Sequence, residues 1–217
     1  MSLKNLQLPL FPLGNVVLFP NMPLPLQVFE ERYKQMIADI EETNPRFGVV
    51  LIKQGKEVGP AAVPYSIGTV AKIVQLDRID DGRILVGAVG ENKFEIQETI
   101  TDKPYLVGTV NLIEEEEEAI PDLLIASVRT SFLEYVRGLT ALRGGWIERL
   151  SDYENPSALS YAIAQGLQVE SEVKQQLLEM TNVTSRLELE NSLLARGIEH
   201  LKNLLHREGP HKRFSAN

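Results

Sequence analysis

Leu8-Pro9-Leu10-Phe11-Pro12-Leu13-Gly14-Asn15-Val16-Val17-Leu18-Phe19-Pro20, running on through Pro23-Leu24-Pro25-Leu26-Gln27-Val28 to Phe29-Glu30-Glu31-Arg32-Tyr33, is the stretch whose reading decides the fold. Five prolines lie between Pro9 and Pro25, interleaved with Leu, Val and Phe, before the chain turns into a charged, helix-like run. Proline fixes φ and withdraws a backbone donor, so this segment is expected to be neither one long helix nor a central sheet strand. Short extended pieces joined by turns are the expectation, with apolar side chains that need a surface to cover.

Working outward, Phe29, Tyr33, Met36, Ile37 and Ile40 recur at helical spacing among charged residues, up to Asn44-Pro45, where proline stops a helix. Phe47-Gly48-Val49-Val50-Leu51-Ile52 reads as a buried strand. From Ile67 the pattern is β: Gly68 to Ile79 and Arg83 to Val89 flank Asp80-Asp81-Gly82, and Asp-Gly between apolar runs marks a hairpin because both residues tolerate positive φ. A further strand alternates over Lys93 to Ile100, and another spans Tyr105 to Ile113. Short strands at this spacing, with Gly68, Gly87, Gly90 and Gly108 as points where a sheet can bend, predict a small closed or nearly closed barrel.

Glu114 to Glu118 is a run of carboxylates whose consecutive side chains diverge, so it is read as a solvated linker rather than a cation site. Helices are predicted after it: one with Pro121 at its first position, one capped by Asn155 with Pro156 following, one from Glu170 to about Met180, and one from Asn182 stopped by Gly209-Pro210. The expected division is a β-barrel domain over 1–118, a helical bundle over 119–208 and a flexible tail over 209–217.

Composition narrows the function classes. The chain has 217 residues, 43% hydrophobic and 24% charged, as in ordinary globular proteins. It has no cysteine, which removes disulfides, iron–sulfur clusters and thiol nucleophiles. A formal charge of −8 and a pI near 5.0 argue against a partner recognised through its phosphates, so nucleic acid is not expected. No secretory leader and no run long enough to span a membrane are visible, and a soluble, cytoplasmic protein is expected.

Catalytic parts are sparse. The histidines, His200, His206 and His211, are all near the end of the sequence, and His200 and His206 lie about 240° apart around a helix axis, so they cannot share a metal. No phosphate-cradling Gly-x-x-x-x-Gly-Lys-Ser/Thr, no Gly-x-Ser-x-Gly elbow and no His-Glu-x-x-His occurs. Asp77, Asp80 and Asp81 form an acidic cluster on the hairpin, two of them explained by turn chemistry, and the cluster is not read as a metal site. The basic residues Lys202, His206, Arg207, His211, Lys212 and Arg213 suit a helix C-terminus. No catalytic residue, cofactor or metal ligand is therefore assigned, and the chain is not expected to be an enzyme. The candidate partner-binding residues are Leu18, Phe19, Met22 and Leu24 on the proline-rich entry, and Trp146, the only tryptophan, in the loop Gly144-Gly145-Trp146.

Several of these strings together resemble the N-terminal domain of Lon proteases. They are Pro9-Leu10-Phe11-Pro12-Leu13 with Val17-Leu18-Phe19-Pro20, Leu24 to Tyr33, Gly68-Thr69-Val70-Ala71 with the Asp81-Gly82 hairpin, Gly90-x-x-Lys93-Phe94-x-Ile96, and the helical Gln176-Leu177-Leu178-Glu179 and Arg186-Leu187. The resemblance runs from Leu8 to Leu205. It implies an α+β fold, a PUA-like β pseudobarrel with one early helix followed by a C-terminal helical bundle. It also implies a non-catalytic recognition module for unfolded or exposed protein segments, an adaptor or chaperone-like binder in proteolysis, with a Lon-type protease among its partners. The ATPase and the serine–lysine peptidase that follow in Lon are not in the sequence, so a standalone member of the group is expected. The Lon-like domain of cereblon is related, but its cysteine-bound zinc has no counterpart here. The alternative is an RNA-binding PUA-like module, which acidic composition and scarce aromatics in the β region disfavour.

Overall fold

The computed structural model describes residues 4–55, 62–80, 82–116, 119–153 and 155–208. Seven strands come first, broken by one helix: β1 (Leu6–Leu13), β2 (Pro23–Val28), α1 (Glu31–Ile40), β3 (Arg46–Gln54), β4 (Val63–Pro64), β5 (Ile67–Arg78), β6 (Ile84–Ile100) and β7 (Val107–Leu112). Four helices follow: α2 (Asp122–Leu142), α3 (Pro156–Gly166), α4 (Ser171–Glu179) and α5 (Val183–Glu208). The chain divides into two compact units, residues 1–115 with 169–181, and residues 116–168 with 182–217.

In the first unit the strands run in the order β1-β7-β6-β5-β3, and a parallel β1–β3 pairing closes the ring. The proline-rich β1 is thus a central strand, contrary to the sequence expectation. Its pairing explains how this is possible. Leu6–Pro9 pair with β7, whereas Leu10–Leu13 pair with β3. The strand changes partner midway, so each half has a ladder on one side, and a residue without an N–H can sit on the other.

β6 uses the same device at greater length. Its first part, Ile84–Val89, lies against β2, its last part, Phe94–Ile100, lies against β7, and β5 runs along the other side. The two strands expected at Arg83–Val89 and Lys93–Ile100 are one. Gly90 joins them and accepts a close approach: its N–H donates to Met22 O (2.9 Å), its carbonyl accepts from Asn21 N (2.8 Å), and a Cβ there would collide with the Phe19 carbonyl. The segment it touches is a tight turn. Met22 N donates to Phe19 O (3.1 Å) across Pro20 and Asn21, and Asn21 has φ +64°, the proline-then-positive-φ signature of a type II turn.

Among the described residues, apolar clusters pack inside this unit. Leu8, Leu10, Val50, Val70, Phe94 and Val110 form one. Another gathers Phe11, Leu18, Leu24, Phe47, Ala71 and Val86 with Tyr33, Met36, Ile37 and Ile40 of α1, and the Phe11 and Tyr33 rings lie 4.2 Å apart. The helical spacing in α1 therefore marks the face that closes over the barrel.

α4 also belongs to the first unit, whereas the sequence reading placed it in the bundle. Leu177 and Leu178 are buried, and Gln175 Nε2 donates to Ile67 O (3.0 Å). The buried Lys93 donates to Met180 O (2.7 Å) at the end of α4, with a Glu115 carboxylate oxygen 3.9 Å from its ammonium. The carboxylate run is thus more than a solvated linker. Glu115 faces this ammonium, Glu116 accepts from Asn182 (3.1 Å), and residues 117–118 fall outside the described set.

The second unit is built on α2 and α5 with α3 packed against them. Val128, Phe132 and Tyr135 of α2 are buried, as are Leu159 and Ile163 of α3 and Leu187, Leu194 and Leu201 of α5. Asn155 caps α3 by accepting from Ala158 N (2.8 Å), with Pro156 next, as the sequence predicts. Asn182 does the same for α5 through Ser185 N (2.8 Å). Pro121 is an N-cap rather than the first helical residue. Inside, Arg186 donates to Ser160 Oγ (2.7 Å) and stacks over the Tyr161 ring (4.3 Å), while Ser160 donates to Glu190 (2.8 Å), all four side chains buried. The Gly209-Pro210 stop lies outside the described residues.

Candidate functional site

The structure removes three of the five candidate contact residues from the surface. Leu18, Phe19 and Leu24 are buried, and Met22 is half-buried against the same core. The reason is visible in the local bonding: buried Thr69 donates to Leu18 O (2.6 Å), Gly90 grips the Phe19–Met22 turn, and strand alternation sends Leu24 and Val28 inward. These apolar residues close the barrel.

The same alternation sends Pro23, Pro25 and Gln27 outward, and Pro25 and Gln27 border a groove of about 390 Å³ on the outer face of β2, β6 and β5. Register lays its surface out in two rows. Pro25, Gly87 and Gln75 form the first, with Gly87 as a floor lacking a side chain between two walls. Gln27, Leu85 and Asp77 form the second, and Leu85 stands 40% exposed, an apolar side chain between two polar ones. Gln75 Nε2 donates to Asp77 Oδ2 (2.7 Å), which orients the carboxylate along the β5 wall. On the β2 wall Gln27 faces the Arg83 guanidinium, and with its amide turned so that the oxygen meets that group it accepts from Arg83 Nε (3.1 Å). Pro25 was visible in the sequence as part of the entry; its partners in the row, Gln75 and Gly87, come from strands 50 and 62 residues away, and only register brings them together.

The free edge beside this groove is closed to strand addition. Gly90 N bonds Met22 O, so even-numbered residues of this segment face the β6 ladder, and Pro23 and Pro25 take the positions whose amides would point off the edge. A partner here meets side chains and few backbone donors.

Trp146, in the second unit, is 78% exposed. Its loop is held rather than loose: Arg137 donates through Nε to Ile147 O (3.3 Å) and through Nη2 to Glu148 O (2.7 Å), and Gly144 turns the chain with φ +74°. The indole is thus displayed by a pinned loop.

A third cluster carries perturbed protons. Tyr105 donates its hydroxyl hydrogen to Asp39 Oδ2 (2.6 Å), and Lys103 reaches both the Tyr105 oxygen (2.9 Å) and Asp39 (3.1 Å). These bonds, the tyrosine's first, hold the Asp39 carboxyl down at about 2. Bonds to Tyr105 and Asp39 push Lys103 up, and burial pushes Tyr105 up. All three groups then keep their ordinary charge states at neutral pH, and the cluster latches α1 to the segment before β7. Among the described residues no group of three or more His, Asp or Glu side chains is placed to hold a metal ion, and no helix is long and apolar enough to cross a membrane.

Comparison with known proteins decides the family. The model of the ATP-dependent protease La (LON) substrate-binding domain matches residues 7–196. The chain belongs to the Lon substrate-binding domain family. Among curated relatives, a Lon protease of Anaeromyxobacter dehalogenans is 29% identical over 199 residues, which is 90% of this chain and 24% of that protein. A Lon protease of Xanthomonas oryzae is 30% identical over 188 residues, 85% of this chain and 22% of its own length. The chain thus spans about a quarter of the length of the Lon proteases it matches.

Solved structures agree on the architecture. A Lon N-terminal domain protein from Xanthomonas campestris superposes with a TM-score of 0.64 at 26% identity, covering 85% of this chain and 96% of that one. The N-terminal domain of Mycobacterium avium complex Lon protease superposes at 0.63 and 21% identity, covering 87% and 98%, and bears on the fold alone. The α+β fold implied by the Lon resemblance is therefore shown.

Proposed function

We propose that this Lon-family domain is a non-catalytic recognition module that captures exposed apolar side chains of unfolded or extended protein segments in the groove on β2, β6 and β5. The observation that carries the reading is the placement of the exposed Leu85 and the side-chain-free Gly87 between Pro25 and Gln27 on one side and Gln75 and Asp77 on the other, on an outer face of the barrel whose neighbouring edge is blocked by proline. The groove volume lies within the range of ordinary ligand clefts, and burying one apolar side chain contributes about 1.5–3 kcal/mol. A single groove therefore supports weak, sequence-tolerant capture, which suits a module that samples many segments and gains affinity from several contacts on one chain. The Trp146 loop is a second contact of the same kind. Delivery of captured segments to a Lon-type protease, as an adaptor or chaperone-like binder, follows as the wider role.

The test is binding of a permanently unfolded, fluorescently labelled polypeptide, followed by anisotropy, to the wild-type chain and to Leu85→Asp. Leu85 projects outward, so the variant is expected to keep its far-UV spectrum and melting profile while binding at least about tenfold more weakly, which is about 1.4 kcal/mol. Unchanged binding by a folded Leu85→Asp protein would remove the groove from the reading.

A further inference from the structure

The groove offers a selectivity that apolar capture alone does not, and the argument rests on the reading just given. Of the eight residues that border it, Pro25, Leu26, Leu85, Val86 and Gly87 are apolar, Gln27 and Gln75 are neutral amides, and Asp77 carries the only formal charge. Asp77 lies directly across the ladder from Leu85, so the carboxylate and the exposed apolar side chain are cross-strand neighbours on one face. One carboxylate oxygen is oriented by Gln75 at 2.7 Å. The nearby cation, Arg83, faces Gln27 on the opposite wall. The blocked edge of β2 removes backbone pairing as the basis of recognition, which leaves side chains to set the preference.

We infer that the groove selects protein segments in which an apolar residue is flanked by lysine or arginine. The apolar side chain lies on Gly87 against Leu85 and Pro25, and the neighbouring cation meets Asp77. A lysine or arginine stem also covers apolar surface on its way to the carboxylate, so both parts of the side chain are used. The acidic balance of the whole chain, −8, favours the approach of such segments over acidic ones.

Three labelled peptides of equal length test this, each with one central Phe flanked by Arg, by Ser or by Glu, titrated against the full chain at low ionic strength. The Arg-flanked peptide is expected to bind about threefold to fivefold more tightly than the Ser-flanked one, as one partly exposed ion pair supplies, and the Glu-flanked peptide more weakly than either. The Arg-to-Glu ratio is expected to fall below about twofold in Asp77→Asn and to shrink in 0.5 M salt. An Arg preference that survives Asp77→Asn would overturn the inference, because the selecting charge would lie elsewhere. Equal, Leu85-dependent binding of all three peptides would overturn the charge selection and leave apolar capture standing. Binding of none would overturn both.

Discussion

Replacing Lys93 by methionine tests how the return segment 169–181 is held to the barrel. Lys93 is 2% exposed, its ammonium donates to Met180 O at 2.7 Å, and the Glu115 carboxylate stands 3.9 Å away. A hydrogen bond from a charged donor contributes about 1.5–3 kcal/mol. The ion pair is long and Glu115 is partly exposed, so it adds only a few tenths of a kcal/mol to about 1 kcal/mol. Methionine keeps most of the stem's volume and avoids the cost of a buried charge, which offsets part of the loss. The balance is a destabilisation of about 2 kcal/mol. Because the lost bond anchors α4, the effect is expected first as local opening rather than as uniform weakening. Urea unfolding gives the global value, and amide hydrogen exchange gives the local one, with protection over residues 171–180 falling by at least about tenfold while β5 and β6 keep theirs. A Lys93→Met protein within 0.5 kcal/mol of wild type, with α4 protection unchanged, would refute the anchoring role.

Three further outcomes follow from the same geometry. Gly90→Ala places a Cβ against the backbone carbonyl of Phe19, which cannot rotate away, so a loss of about 3 kcal/mol is expected in urea unfolding. Asp39, held at about 2 in the folded chain against 3.8 for the free side chain, binds fewer protons folded than unfolded between those values. Its stabilisation is complete above pH 4 and is lost as pH falls toward 2, so the stability gap between wild type and Asp39→Asn, on the order of 1 kcal/mol after solvent screening, should close over that window. Asn155→Ala removes the cap on α3 and is expected to cost about 1 kcal/mol, read as a lower urea midpoint.

Local chemistry made much of the fold legible. The helical spacing of Tyr33, Met36, Ile37 and Ile40, the Asn155-Pro156 helix start and the glycine at position 82, whose φ is +78°, all express themselves within a few residues of the chain. Features that depend on distant partners were not legible. Pro9 and Pro12 lie inside a central strand only because that strand changes neighbours, and α4 joins the barrel through Gln175 and Lys93, whose partners are 108 and 87 residues away. The site shows the same division. Leu18, Phe19 and Leu24 drew attention as apolar residues in an unusual segment, yet being apolar is what sends them inward. The alternation of Leu24, Leu26 and Val28 was the available signal that the outward residues are the prolines and Gln27. That Pro25 and Gln27 meet Gln75, Asp77, Leu85 and Gly87 follows from register, which no short window of sequence carries.

The most direct test of groove capture is a map of the contact. In heteronuclear NMR of the chain titrated with an unfolded polypeptide, the account predicts that the largest amide shifts fall on residues 26–27, 75–77 and 85–87, with a smaller set around Trp146. Shifts confined to other faces of the barrel or to the helical unit, with residues 85–87 unmoved at saturation, would contradict it.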